Sequence, residues 1–231
     1  MNFWDETAFD YDWRHKTPRT AYLRARELAF IKKFAKGFIA DLGCGSGFPL
    51  IELKKKELHV IGFDSSREML KSLKAKDKKA KICLCDCTSL PVKANSFDCA
   101  LSTLSFLNYC KDYEEIISQI AQILRPGGRV LLSVISKHDT KIPRLMKVHK
   151  KAIKIFGFEF KELKEVFEKY GFRLLAARGL FLFVRPKWGN FEPLSLRENL
   201  ILGIEDMVNR IFYQKGRVYL LAFEKMSTTT V

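Results

Sequence analysis

The chain has 231 residues, 47% of them hydrophobic and 29% charged, which places it with soluble globular proteins and gives it length enough for one substantial core. Its acidic start (Asp5, Glu6, Asp10, Asp12) is the opposite of a basic signal peptide, and apolar runs such as 130–135 and 179–184 fall far short of a membrane span, so a cytoplasmic protein is expected. A formal net charge of +15, gathered partly in the lysine runs 54–56, 71–81 and 147–154, favours an acidic partner such as nucleic acid or anionic lipid.

Strands and helices alternate along most of the chain. An opening helix over Arg19 to Ala35 precedes strand 38–42, helix 48–55, strand 58–63, helix 66–76 and strand 81–86. Strand 97–102, helix 112–124 and strand 128–135 follow, with Arg125-Pro126-Gly127-Gly128 breaking the chain before the last of these. Such alternation argues for a parallel sheet covered on both faces. Beyond it, Lys137 to Gly157 reads as basic and loosely helical, and Phe160 to Tyr170 as a helix ending at Gly171. Phe172 to Val184 reads as a long strand interrupted by Gly179, Pro186 to Pro193 as a loop, Ser195 to Phe212 as an amphipathic helix and Arg217 to Glu224 as a closing strand. The tail Ser227 to Val231 is expected to fray.

The stretch Asp41-Leu42-Gly43-Cys44-Gly45-Ser46-Gly47 ends the first strand in a turn with three alternate glycines, where backbone can approach a ligand closely. A dinucleotide loop requires G-x-G-x-x-G, and Phe48 stands where its third glycine would be. Asp64 ends the second strand about twenty residues on, placed to take both ribose hydroxyls of a nucleoside. Asp86-Cys87 ends the third strand, followed by Leu90-Pro91 and by Asn95-Ser96-Phe97-Asp98.

Together these segments resemble the class I S-adenosylmethionine-dependent methyltransferases, and Ala8-Phe9-Asp10-Tyr11-Asp12 resembles the opening of their quinone and small-molecule subgroup. The resemblance covers about residues 8–135. It implies an α/β, doubly wound, mostly parallel seven-stranded sheet with an antiparallel last strand, in a single domain 1–231. Within that domain it implies an N-terminal cap helix (1–36), a cofactor-binding half (37–136), substrate-facing insertions (137–212) and a closing strand and tail (213–231). By the same resemblance the cofactor is S-adenosyl-L-methionine. Gly43, Gly45 and Gly47, with Asp41 and Cys44, would meet its methionine part. Asp64 and Ser65 would meet the ribose, Asp86, Cys87 and Met69 the adenine, Tyr11 would close over it, and Ser102 would adjoin it.

A sulfonium methyl is already electrophilic, so alignment and exclusion of water are the main tasks, and neither metal nor covalent intermediate is required. The acceptor should approach over Ser102 to Tyr109. That segment lacks the N/D-P-P-Y/F box of amino-nucleobase methyltransferases, and the chain has no Pro-Cys pair for cytosine C5 chemistry. His138, Tyr11 and Tyr109 are the candidates for a proton-accepting or hydrogen-bonding role. Cys83, Cys85 and Cys87 alternate along a strand rather than showing zinc spacing, so no metal is expected. The expected acceptor is small or lipid-like; RNA, on the strength of the charge, is the alternative. A non-catalytic cofactor-binding protein and an NAD oxidoreductase are the remaining readings.

Overall fold

The structure, a computed structural model, describes residues 3–139, 145–148, 151–184 and 191–227. The N-terminal segment is two helices, α1 (Phe3–Arg14) and α2 (Pro18–Phe34), where the sequence suggested one. Thr17 separates them by accepting the Thr20 N–H at 3.2 Å, and Pro18 fits the first helical turn because it has no N–H to satisfy.

Next come β1 (Phe38–Leu42), α3 (Leu50–Lys54), β2 (His59–Asp64), α4 (Arg67–Lys76), β3 (Lys81–Leu84), β4 (Phe97–Ser102), α5 (Tyr113–Ile123) and β5 (Leu124–Ile135). The register between β4 and β5 shifts from Phe97 opposite Leu124 to Cys99 opposite Arg129, so the Pro-Gly segment is an irregularity within β5 rather than a break before it. The rest of the chain forms β6 (Leu145–Val148), β7 (Lys151–Lys154), α6 (Phe160–Lys169), β8 (Phe172–Leu180), α7 (Leu196–Val208) and β9 (Val218–Lys225).

Seven strands make the main sheet in the order β3-β2-β1-β4-β5-β9-β8. Its first five strands are parallel, and β9 runs antiparallel between β5 and β8. The order reverses between β1 and β4, and in open α/β sheets that reversal opens a crevice at the carboxyl ends of the strands. Ile116, Ile117, Ile120 and Ile123 of α5 pack one face of the sheet together with Phe160, Leu163 and Phe167 of α6. The opposite face takes Leu23, Phe30 and Ile31 of α2, Leu50 and Leu53 of α3, and Leu70 and Leu73 of α4. Each set recurs at helical spacing, which is why the helices lie flat on a sheet buried from both sides.

Three expectations for the C-terminal part need correction. Within the segment expected to be loosely helical, β6 and β7 pair antiparallel, Val148 opposite Lys151; four-residue strands are too short to declare a period. β8 runs through Gly179 and stops at Leu180, where Phe181 takes a left-handed φ of 55°. Gly179 does not interrupt the strand: a Cβ there would strike the Tyr213 carbonyl, so the glycine lets a later turn lie against β8. Helix α7 ends at Val208, short of the expected Phe212, and starts with a capping box in which the Ser195 hydroxyl and the Glu198 carboxylate satisfy each other's backbone N–H groups. Residues 186–190 of the expected loop and 228–231 of the expected tail lie outside the described residues.

Candidate active site

β1 delivers the chain to its glycine turn, which two hydrogen bonds dock onto β2: the N–H groups of Gly43 and Cys44 donate to the Phe63 carbonyl at 2.8 and 3.1 Å. Gly43 has φ 66°, and a Cβ there would run into the Phe106 ring, so only glycine lets the segment after β4 close on the turn. Gly45 is different. A Cβ built on it meets nothing nearer than the Gly43 carbonyl at 4.0 Å, because this glycine borders open space.

That space is a cavity of about 270 Å³. Asp64, at the end of β2, stands in its wall with Oδ2 accepting the Gly45 N–H and Oδ1 the Ser66 N–H, both at 2.8 Å. Burial raises its pKa, and the two N–H bonds oppose the rise. Ser65 and Met69 also line the cavity, as do Asp86, Cys87 and Thr88 from the segment after β3. The Asp86 carboxylate accepts from the Thr88 N–H and hydroxyl, each at 2.9 Å, which fixes its direction.

Helix α1 roofs the site. Asp5 accepts from the Ser66 hydroxyl at 2.7 Å, and Asp12 accepts from the Ser46 hydroxyl at 2.6 Å and pairs with Lys76. One helix is thereby strapped to both the glycine turn and the start of α4. From it Trp4 and Tyr11 enter the lining, with the Trp4 ring edge-on to Tyr109 at 5.0 Å. Burial raises the pKa of Tyr11, with Tyr109 adding to the effect, and burial pushes Tyr109 up to about 12. Near neutrality both phenols are therefore hydrogen-bond donors, not bases.

Four of the expected site residues do not reach this lining. Asp41 is 1% exposed, neither carboxyl oxygen has a partner among the described residues, and burial drives its pKa well up. Gly47 faces Leu73 and Ile51 and serves helix packing instead. The Ser102 side chain is wholly buried at the end of β4. His138 is exposed, its N–H donating to the Ser136 hydroxyl at 2.9 Å, and it is not part of the cavity lining.

Arg24 is one of the cavity residues that sequence reasoning missed, with Trp4, Lys111 and Asp112. Its guanidinium lies over the Phe48 ring at 4.9 Å, and its Nε is buried with no hydrogen-bond partner among the described residues. A signal was available, because Arg24 and Glu27 are charged residues on the same side of α2 as buried Leu23 and Ile31. Glu27, 1% exposed, accepts from the Leu104 N–H at 3.0 Å and from the Ser133 hydroxyl, and burial pushes its pKa up to about 7. It thereby supports the left-handed pair Leu104 (φ 48°) and Ser105 (φ 64°), where the chain leaves β4 and enters the cavity wall.

The cavity sits at the reversal of strand order, with a carboxylate ending β2 and, in its lining, an arginine whose Nε has no hydrogen-bond partner among the described residues. Residues 40–132 match the family described as methyltransferase domain. That stretch, less than half of the chain, carries a methyltransferase domain, and the sheet around it has the α/β methyltransferase fold. The chain is 27% identical over 203 residues to an uncharacterised protein of Methanocaldococcus jannaschii, covering 77% of each chain. It is 28% identical to the malonyl-[acyl-carrier protein] O-methyltransferase of Hamiltonella defensa, over 46% of this chain and 41% of that one. A tRNA (carboxymethyluridine(34)-5-O)-methyltransferase of Mus musculus is 31% identical over 47% of this chain and 16% of its own. The chain thus spans less than half the length of these two relatives of stated activity. Its fold is shared with a possible histamine N-methyltransferase of Thermotoga maritima (TM-score 0.70, 21% identity, 96% and 97% of the chains covered). It is also shared with a putative methyltransferase of Haloferax volcanii solved in complex with the Trm112 methyltransferase activator (TM-score 0.66, 21% identity, 99% and 96% covered). No helix among the described residues is long and apolar enough to cross a membrane.

Proposed function

We propose that this methyltransferase acts in the cytoplasm on a small or lipid-like acceptor rather than on RNA. The observation that carries the proposal is a contrast of charge. In a chain of net charge +15, the cavity lining holds three carboxylates, Asp64, Asp86 and Asp112, against two cations, Arg24 and Lys111. A polynucleotide led to this mouth would bring phosphates towards Asp86 and Asp112. The walls also hold aromatic side chains, among them Trp4, Phe48, Phe106 and Tyr109, suited to a compact acceptor. Six free thiols fit a reducing compartment.

The residues present fit the cofactor. The buried, unpartnered Nε of Arg24 fits a methionine carboxylate, the open space beside Gly45 admits a chain running past the turn, and Asp64 has remaining lone pairs for ribose hydroxyls. Met69, Asp86 and Cys87 would hold the adenine, and Tyr11 would close the site with α1. When bound, S-adenosylmethionine would supply an activated methyl group for transfer to the acceptor. What the chain contributes is alignment and dryness. Trp4, Tyr11 and Tyr109 exclude water, and the two neutral phenols can orient an acceptor heteroatom by donating to it.

The RNA reading keeps some support from the charge and from the tRNA-modifying relative. The test is transfer of a labelled methyl group from the cofactor to an organic-solvent extract of cells and, separately, to their total tRNA. Label in the extract is expected, and label confined to tRNA would overturn the proposal.

A further inference from the structure

Helix α7 buries a mostly polar side. Towards the protein it turns Glu198, Ile201, Leu202, Glu205 and Asp206, with Asn209 at its C-cap, four of these six being polar. Its outward side carries Leu196, Leu200, Ile204 and Met207, continued by Ile211 in the helical turn that follows. These are 90%, 68%, 48%, 81% and 73% exposed. Spaced by four, four, three and four residues, they fall within an arc of about 80° at the helical repeat. A single exposed leucine needs no explanation, but a continuous stripe of five does.

Every acid on the helix is engaged inward. Glu198 binds Arg19 at 2.7 Å, Glu205 accepts the N–H groups of Phe183 and Val184, and Asp206 pairs with Arg26 and accepts from the Tyr22 hydroxyl. The outward arc therefore has no negative charge. Arg197 and Arg210, both exposed and without ion pairs among the described residues, flank the stripe on its two sides. Phe183, anchored beside the middle of the helix through Glu205, is itself 62% exposed.

We propose that the outward face of α7 docks on an anionic lipid surface, lying in the headgroup region with its aliphatic stripe buried and its flanking arginines on lipid phosphates. Charge complementarity chooses this occupant. An apolar stripe edged by arginines is the pattern of a helix that lies in a membrane interface, and a body of net charge +15 is drawn to an anionic surface. The same charge opposes pairing with a second copy, since two such bodies repel. The inference stands on the helix alone and does not depend on which acceptor the cavity takes.

The test is co-sedimentation of the whole chain, without cofactor or acceptor, with vesicles of phosphatidylcholine alone and of phosphatidylcholine mixed with phosphatidylglycerol. Binding to the mixed vesicles is expected, weakening as salt is raised. The double variant Leu200→Glu, Met207→Glu should lose about tenfold or more in affinity, with its melting curve and S-adenosylhomocysteine binding kept. Replacing both Arg197 and Arg210 by Gln should weaken binding and flatten its salt dependence. Equal binding by wild type and the double glutamate variant would overturn the proposal, as would no binding to anionic vesicles. A concentration-dependent dimer in sedimentation velocity that the glutamate variant abolishes would also overturn it, by assigning the face to a second copy.

Discussion

Between Phe38 and Ile135 each strand pairs in parallel with a near neighbour in sequence, and every element contributes apolar residues to the core. Between Ser136 and Lys225 the chain builds differently: β9 slides between β5 and β8, a short hairpin stands apart from the main sheet, and α7 turns polar groups inward. The first region holds the cofactor cavity by backbone geometry. The second joins that frame through the β5–β9 ladder and apolar side chains such as Phe160, Leu163, Phe167 and Phe223, and only its helix α7 is held mainly by buried polar anchors. The lesson is that local pattern suffices where neighbours in sequence are neighbours in space, and fails where distant partners decide which face is buried.

The largest expected effect tests the anchor joining α2 to the frame. Glu27 is protonated in the native state up to about pH 7, whereas an unfolded glutamate ionises near 4.5. The native state therefore binds more protons in that window, and stability falls as pH rises from about 4.5 to 7 and is flat above it. A shift of this size corresponds to roughly 3 kcal/mol. Urea unfolding across this range should show that slope, and Glu27→Gln, whose carbonyl still accepts from Leu104 and Ser133, should remove it.

Second come the two ends of the cofactor. Asp64→Ala should weaken S-adenosylhomocysteine binding by about a hundredfold, since two or more charge-assisted bonds go with it. Arg24→Met should cost roughly 10- to 100-fold towards the same ligand but leave methylthioadenosine, which has no amino-acid head, almost unaffected. Calorimetry with both ligands separates the roles, and equal losses for the two ligands would reject Arg24 as the carboxylate site.

A smaller effect probes the second region. Asn108, wholly buried, accepts the Ile135 N–H at 2.8 Å and donates to the Ile135 carbonyl at 2.9 Å and to the Phe156 carbonyl. Asn108→Ala should cost about 1–3 kcal/mol in denaturant unfolding and increase hydrogen exchange first around residues 151–158, leaving β1 and β2 protected. Smallest of all, His138→Ala should leave methyl-transfer rate within about twofold, because His138 is exposed and not part of the cavity lining.

Most of the first region was legible in the sequence. Asp41 to Gly47 and Asp64 mark strand ends and Asp86-Cys87 follows one, β3 stopping at Leu84 rather than at the expected residue 86, and strand ends in a parallel sheet with helical crossovers converge on one edge. The family, the sheet and the cofactor follow from that, since alternation of period two and period 3.6 needs no knowledge of distant contacts. Arg24 and Glu27 were not legible as a pair with different tasks. Their helical spacing places both on the inner side of α2, but only packing shows that one reaches Leu104 and Ser133 while the other lies on the Phe48 ring with its Nε lacking a hydrogen-bond partner among the described residues.

The sequence by itself determined the architecture and the nucleoside chemistry, because glycine turns and strand-ending carboxylates are local features whose geometry is fixed by the backbone. Tertiary structure decided that Asp41, Gly47 and Ser102 face the core and His138 the solvent. It also decided that α1 roofs the cavity and that α7 presents its apolar side outward. Amphipathic spacing reveals that a helix has two faces, but which face is buried depends on the partners it meets, and for α7 those partners are Arg19, Arg26 and the N–H groups after β8.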